Sequence, residues 1–152
     1  MDFLQAIREG NSATVEQLID QQPELVNTKD PRGFSPLVLA TYTGQQAIVE
    51  LLLHKGARID EQDAAGNTAL MGLCFKGHTE LVELLVQHGA GVNIQSANGA
   101  TALMYAANFG HKDIVSRLLA AGADASIQDN EGNSPLSLAK QNGHAQIVSL
   151  LQ

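Results

Sequence analysis

The sequence predicts an all-α repeat solenoid of about five units, each made of two short helices and a projecting turn. The first reason is a spacing of thirty-three residues that relates four glycines, Gly33, Gly66, Gly99 and Gly132. The second is that three further sets keep this spacing: Leu37, Leu70, Leu103 and Leu136; Gly44, Gly77, Gly110 and Gly143; and Val49, Val82, Val115 and Val148. The third is a composition of 44% hydrophobic but only 4% aromatic residues, which suits closely packed aliphatic helices.

The first helix of each unit is predicted from the residues at its start. Thr68 precedes the apolar stretch 69–75 and supplies a hydroxyl that can accept a backbone N–H at a helix start. Ser35-Pro36 and Ser134-Pro135 add a proline at the first helical position, where its missing N–H costs nothing. We therefore expect a first helix to run from each of these sites to the next interhelix glycine.

The second helix of each unit follows that glycine, as in residues 78–86. Leu81, Val82, Leu85 and Val86 lie on one face of this stretch at helical spacing. Helices of eight or nine residues are too short to be stable alone in water. Each pair must therefore be stabilised by packing on its neighbours.

The segments between the helix pairs are predicted to be tight turns. Residues 63–67, with the sequence DAAGN, are rich in the Gly, Asn and Asp that favour such turns. We expect the turns, with β-turn or hairpin geometry, to project from the helix pairs and to line one edge of the array.

These features together resemble the ankyrin repeat. The motifs that carry the resemblance are GNTAL at 66–70, KGH at 76–78, LLV at 84–86 and HGAGVN at 88–93. The resemblance covers nearly the whole chain and implies full units at 30–62, 63–95 and 96–128, with a shortened closing unit at 129–152. It suggests a small stand-alone protein of a kind found in bacteria. The family's usual first-helix histidine is replaced, by Val38, Met71, Met104 and Ser137.

Residues 1–29 are interpreted as a degenerate first unit that caps the array. Asn27 lies thirty-three residues before Asp60, whereas Gly10 lies thirty-four residues before Gly44, so one residue is inserted between them. We place the insertion in residues 21–26, whose polar flanks suit a unit with one face toward solvent. All five units form a single domain, 1–152.

Composition and charge exclude several classes of partner. The formal net charge is −7, and no cluster of Lys and Arg could neutralise several neighbouring phosphates, so we expect no nucleic-acid partner. The first eight residues lack the basic and apolar regions of a signal peptide, and no later run is long enough to span a bilayer. We expect a cytoplasmic protein with no membrane partner, in which the single Cys74 is a small buried side chain.

No residue pattern indicates catalysis, a metal or a cofactor. His78, His111 and His144 recur at the repeat spacing, which invites a metal site. Equivalent residues of stacked helices lie about 8–10 Å apart, however, whereas each histidine nitrogen that binds a zinc ion lies about 2.0–2.1 Å from the metal. We expect these histidines to satisfy backbone groups near the start of the second helix. No phosphate-binding loop is present, and no Ser or Cys has an evident base. The sequence predicts that the chain is not an enzyme.

The resemblance implies a partner-binding surface. In ankyrin proteins the first helices line a concave face, the turns project beside it, and partners are usually held there. The residues at these positions are predicted to bind a partner: Arg32, Phe34, Tyr42, Thr43, Asn67, Phe75, Lys76, Asn108 and Phe109. Four of the six aromatic residues fall in this set, which is typical of an interface. The alternative is that the aromatics pack on one another as a satellite core.

Two further interpretations concern the same face. Met71, Met104 and Tyr105 either form the floor of the concave groove or, for the methionines, fill gaps in the core. Lys76 and Arg32 would give a local positive rim, which suggests a partner segment that carries some carboxylate.

The predicted function is a monomeric adaptor or inhibitor that binds a protein partner through the concave face and the turn tips. A small-molecule or nucleotide sensor that uses the same groove would instead gain thermal stability with its ligand. A structural assembly module would instead self-associate through its exposed end helices.

Overall fold

The computed structural model describes residues 1–152 and contains ten α-helices, one 3₁₀ helix and no strand. The predicted all-α repeat architecture is therefore confirmed. The α-helices are α1 Phe3–Arg8, α2 Ser12–Gln21, α3 Pro36–Tyr42, α4 Gln46–His54, α5 Ala69–Lys76, α6 Thr79–Gln87, α7 Ala102–Asn108, α8 Lys112–Ala120, α9 Pro135–Gln141 and α10 Ala145–Leu151. The 3₁₀ helix spans Pro23–Asn27, which overlaps the segment where the sequence places one inserted residue.

The odd-numbered helices, which we call the first helices, begin directly after a hydroxyl or carboxylate side chain that caps them. The Thr68 hydroxyl accepts the backbone N–H of Met71, and Ser35 and Ser134 make the same bond three residues onward. These caps satisfy N–H groups that have no partner inside the helix. The predicted first-helix starts at Ser35, Thr68 and Ser134 are confirmed.

The helices form two layers with one continuous core between them. The first helices stack in the order α1, α3, α5, α7 and α9, and each packs on the second helix of its own unit. In the second layer α2 packs on α4, α6 on α8, and α8 on α10. The core runs from Phe3 to Ile147 and is mostly aliphatic, because aliphatic side chains recur on the inner face of every helix.

Polar side chains on the connecting segments join neighbouring units through hydrogen bonds that no motif within one unit predicts. The Gln62 Nε2 group donates to the carbonyls of Gly66 and Gln95, and Gln95 repeats this with Gly99 and Gln128. A second series of bonds uses side-chain oxygens that recur every thirty-three residues and accept a backbone N–H of the next unit. Asn27 accepts from Arg58, Asp60 from Gly91, and Asn93 from Asp124.

The two methionines of the first helices belong to the core. Met71 is 1% exposed and Met104 is 2% exposed. Of the two, only Met71 also borders the groove described below. Both methionines are thus buried side chains, with Met71 beneath the groove.

None of the helices has the length and hydropathy needed to cross a lipid bilayer.

Candidate partner-binding groove

A groove of about 610 Å³ lies between α3 and α5, and Tyr105 of α7 also lines it. It brings together six of the residues predicted to bind a partner: Arg32, Phe34, Tyr42, Asn67, Phe75 and Lys76. It has a turn end, formed by the segments before α3 and α5, and a helix end, formed by the last residues of those helices. Thr43, Asn108 and Phe109 do not line it.

The turn end is organised by the buried carboxylate of Asp30. This side chain is 1% exposed, and its Oδ1 accepts the backbone N–H groups of Arg32 at 2.9 Å and Phe34 at 3.0 Å. The Arg32 guanidinium donates to Oδ2 at 3.0 Å and lies 4.8 Å from the centre of the Phe34 ring. Burial alone would raise the pKa of Asp30, but the hydrogen bonds from Phe34 and Arg32 outweigh it and hold the pKa below its ordinary value.

Asn67 connects the turn end to the next first helix. The Asp63 Oδ1 accepts the N–H groups of Ala65 and Asn67, both at 2.9 Å, which fixes the turn. The Asn67 Oδ1 then accepts the hydroxyl of Tyr105, on α7, at 2.9 Å. Burial raises the pKa of Tyr105, which favours the protonated hydroxyl that donates this bond.

The helix end is bridged by Lys76. Its Nζ donates to the carbonyl of Tyr42, the last residue of α3, at 2.6 Å and lies 4.2 Å from the centre of the Tyr42 ring. A cation at the carboxyl end of a helix is favourable because carbonyl groups are unpaired there. Thr43 is exposed, and its hydroxyl donates to the carbonyl of Leu39 in its own helix at 2.9 Å.

The exposed aromatics pack partly on one another. The rings of Phe75 and Phe109 meet edge to face with centres 4.7 Å apart, and Phe75 also lies 6.5 Å from Tyr105. Phe75 is nevertheless 50% exposed and Phe109 45% exposed, while Tyr42 is 68% exposed. Each of the two interpretations of these residues thus describes one part of the arrangement: Phe75, Phe109 and Tyr105 form a small cluster, and its outer surface is open to solvent.

Gly72, in the middle of α5, was not singled out from the sequence. It lines the groove, and a Cβ atom added there would meet nothing within 4 Å. At the equivalent positions, thirty-three residues away in each direction, the chain has Leu39 and Tyr105. The missing side chain leaves room in the groove, and the sequence signal was a glycine inside a helix where packing does not require one.

Two of the three repeated histidines bind a different part of the backbone from the one expected. The Nε2 of His111 lies 3.1 Å from the Phe75 carbonyl, and that of His144 lies 3.1 Å from the Asn108 carbonyl. Both carbonyls belong to the end of the preceding unit's first helix, and neither side chain caps the second helix that it precedes. The expectation was wrong because stacking brings those unpaired carbonyls against the rings.

The third repeated histidine, His78, lacks this bond. The carbonyl at the equivalent position is that of Tyr42, which Lys76 already binds. The Nδ1 of His78 is buried without a hydrogen-bond partner. Nowhere in the structure do three His, Cys, Asp or Glu side chains come together in a way that could hold a metal ion.

Comparison with known proteins places this architecture in a family. A family model described as ankyrin repeats (3 copies) matches residues 3–63 and 70–152. The chain is 38% identical over 61 residues to ankyrin repeat and SAM domain-containing protein 6 of Rattus norvegicus, which covers 40% of this chain and 7% of that protein. It is 41% identical over 59 residues to the scaffold protein ILK of Homo sapiens, covering 39% of this chain and 13% of that protein.

The chain thus spans a small fraction of the length of these curated relatives. The family match, by contrast, extends over nearly all of its residues, and the internal segment that it leaves out, 64–69, is the turn before α5 with the first residue of that helix. The chain belongs to the ankyrin repeat family.

Proposed function

We propose that the chain is a non-catalytic adaptor or inhibitor that holds one protein partner on the exposed side of its first helices and on the adjoining turn tips. Ankyrin repeats generally mediate protein–protein interaction, and scaffold protein ILK is among the relatives of this chain. The partner-binding residues would be Arg32, Phe34, Tyr42, Thr43, Asn67, Phe75, Lys76, Asn108 and Phe109.

One observation carries this proposal. The structure has five exposed large hydrophobic side chains, and three of them, Tyr42, Phe75 and Phe109, lie at the ends of consecutive first helices or directly after them. The other two, Met1 and Leu150, lie near the chain ends. Exposed aromatics are enriched at the centres of protein interfaces, where each contributes about 1–3 kcal/mol to binding.

The polar members of the set surround these aromatics. Lys76 and Arg32 lie at opposite ends of the groove, and Asn67 lies beside Arg32 at the turn end. This arrangement of an apolar centre with polar groups around it is usual in protein interfaces. Thr43 and Asn108 lie outside the groove and would contribute at the edge of the interface. The Thr43 hydroxyl donates to its own helix, and the Asn108 side chain accepts from Asn142.

The test is affinity capture from native cell extract with three immobilised proteins. They are the wild type, a variant with Tyr42→Ala, Phe75→Ala and Phe109→Ala, and a control with Gln17→Ala, Gln87→Ala and Gln146→Ala. The control residues are exposed on second helices and make no side-chain hydrogen bond. We expect a protein that the wild type and the control retain and the aromatic variant loses. Equal retention by all three proteins would contradict the proposal, provided that circular dichroism shows all three folded.

A small-molecule sensor is the second candidate, because the groove volume of about 610 Å³ lies within the range of small-ligand sites. A ligand bound there would raise the melting temperature of the wild type with increasing ligand concentration. Gly72→Leu would abolish that increase, because its side chain would occupy the space that the glycine leaves open. A panel of metabolites that leaves the wild-type melting temperature unchanged would count against this candidate.

A further inference from the structure

We propose that the partner segment in the groove between α3 and α5 is acidic, with an Asp or Glu carboxylate on Lys76 and a neighbouring apolar side chain in the space beside Gly72 and Phe75. This inference rests on the proposed function and adds the chemical class of the partner. Three observations carry it: the distribution of charge between the two helix layers, the partners of Lys76, and the open space at Gly72.

Charge is segregated between the two layers of helices. None of the sixteen acidic residues lies within a first helix, whereas three basic residues do, namely Arg8, Lys76 and Lys140. The second helices carry six carboxylates, those of Glu16, Asp20, Glu50, Glu80, Glu83 and Asp113, against two basic side chains, Lys112 and Arg117. In a chain of net charge −7, the first helices are therefore a locally positive surface that attracts a negative segment.

Lys76 is the cation of the groove that has no carboxylate partner. It forms no salt bridge, whereas Arg32 is paired with buried Asp30. An ammonium group has three N–H donors, and the Tyr42 carbonyl takes one of them. The other two N–H donors of Lys76 remain for a partner, and the bond to the Tyr42 carbonyl already holds the ammonium group at the groove. A carboxylate would complete its hydrogen bonding with charge-assisted bonds.

A basic segment fits the groove less well. The faces of Phe34 and Tyr42, which attract cations, are already occupied by Arg32 and Lys76 of the chain itself. Asp63 is the carboxylate that borders the groove, and it lies at the turn end, with its Oδ1 bound to two backbone N–H groups. The free charge at the helix end is thus positive.

Gly72 supplies the place for an apolar neighbour of that carboxylate. Where the adjacent first helices have Leu39 and Tyr105, α5 has no side chain, and nothing lies within 4 Å of where a Cβ would be. Phe75 and Lys76 follow within one helical turn of this gap, so a carboxylate and an apolar side chain from one short segment can reach both.

The experiment is selection of a library of random short peptides on the immobilised full chain, with four variants in parallel. Lys76→Glu reverses the charge, and Lys76→Gln removes the charge but keeps a donor for the Tyr42 carbonyl. Lys112→Glu is the matched control, because Lys112 is exposed on α8 and forms no salt bridge. The fourth variant carries the Tyr42, Phe75 and Phe109 substitutions to Ala.

We expect peptides enriched on the wild type to contain an excess of Asp or Glu next to an apolar residue. Fluorescence anisotropy should show the best of them binding about tenfold more weakly to Lys76→Glu, with Lys112→Glu unchanged. Lys76→Gln should lose the preference for acidic over amide versions of the same peptide. Gly72→Leu, measured with these peptides in addition to the four selection variants, should bind all of them more weakly.

The outcomes separate this inference from the proposed function. Peptides that the aromatic variant loses, but that show no acidic excess or bind Lys76→Glu and Lys112→Glu equally, would overturn the inference and leave the proposed function standing. Peptides that the aromatic variant retains fully, or a wild type that enriches none, would overturn both.

Discussion

Two junctions between first helices, α3 with α5 and α7 with α9, have the same architecture and different surface chemistry. At the first, the carbonyl of Tyr42 is bound by the Lys76 ammonium at 2.6 Å. At the second, the equivalent carbonyl is that of Asn108, and it is bound by the Nε2 of His144 at 3.1 Å. The side chains beside it form a neutral amide pair, in which Asn142 donates to Asn108 at 2.7 Å.

The difference shows how a repeat protein separates stability from recognition. Both junctions have hydroxyl caps, aliphatic cores and a satisfied helix end. The residues that satisfy the helix end differ, so the first junction exposes a free cation and an aromatic ring and the second exposes amides. Chemistry on the surface can therefore vary from unit to unit while the scaffold remains the same.

The largest effect is expected from a residue of the shared scaffold. Leu85 is 0% exposed in α6, and Leu85→Ala should lower the free energy of unfolding by about 3 kcal/mol through lost burial and a cavity. Urea unfolding followed by circular dichroism measures this. The control is Leu150→Ala, a side chain 39% exposed near the chain end, which should cost less than about 1 kcal/mol. Equal costs would contradict a continuous core.

The next largest effect is expected in the turns that precede the two junctions, where replacing the acceptor side chain should lower the free energy of unfolding by different amounts. Asp30→Ala removes the acceptor of two backbone N–H groups and the partner of Arg32, and should lower the free energy of unfolding by about 2 kcal/mol at neutral pH. Ser96→Ala, in the turn before α7, removes the acceptor of one N–H group, that of Ala100, and should cost about 1 kcal/mol. Urea unfolding of both variants measures the difference.

The Asp30 contribution should also depend on pH. Because the pKa of folded Asp30 lies below the ordinary value of 3.8, its stabilisation is fully present above that value and is lost as the pH falls through the folded pKa. The cost of Asp30→Ala should therefore shrink when unfolding is measured in increasingly acidic buffer. The cost of Ser96→Ala should not change with pH. If the costs of both variants fell in parallel, the pH dependence would come from groups other than Asp30.

The interhelix glycines should show a smaller difference. Gly44 and Gly77 have φ angles of +70° and +82°, so substitution by Ala strains the backbone at both, at about 1 kcal/mol. At Gly77 a Cβ would also lie 2.5 Å from the His111 ring, whereas at Gly44 the nearest atom is 3.8 Å away. Gly77→Ala should therefore lower the melting temperature more than Gly44→Ala. His111→Ala in the Gly77→Ala background should cost less than in the wild type, and additive costs would contradict the clash.

The smallest effect is expected at Cys74. It is 0% exposed in α5, and burial raises the pKa of its thiol to about 12. The thiol should be unreactive toward a thiol reagent in mildly alkaline buffer and react once urea unfolds the chain. Because α7 has Ala107 at the equivalent position, Cys74→Ala should change stability by less than about 1 kcal/mol. Rapid reaction of the folded protein would contradict this burial.

Local signals predicted much of this molecule. Thr68 caps α5 because a hydroxyl before an apolar stretch needs only the N–H three residues later, and that geometry is the same in any helix. Gly77 closes α5 with a left-handed residue for an equally local reason. The exposure of Tyr42 and Phe75, by contrast, was expected from the resemblance to ankyrin repeats, which places the ends of the first helices on the partner-binding face.

Contacts between units were harder to predict from the sequence. His78 and Lys76 are two residues apart, and either side chain type can bind the Tyr42 carbonyl. Lys76 binds it, and the Nδ1 of His78 has no hydrogen-bond partner. The open space at Gly72 likewise depends on what its neighbours leave empty. A pattern within one unit does not contain this information.

The sequence by itself determined the repeat length, the helix starts and ends, and the side chains that each unit turns to its core, because capping and helical periodicity act over a few residues. Only the tertiary structure decided which side chain satisfies each helix end and where a groove stays open. Those outcomes depend on groups from units about thirty-three residues apart in the chain that compete for the same acceptor or the same space.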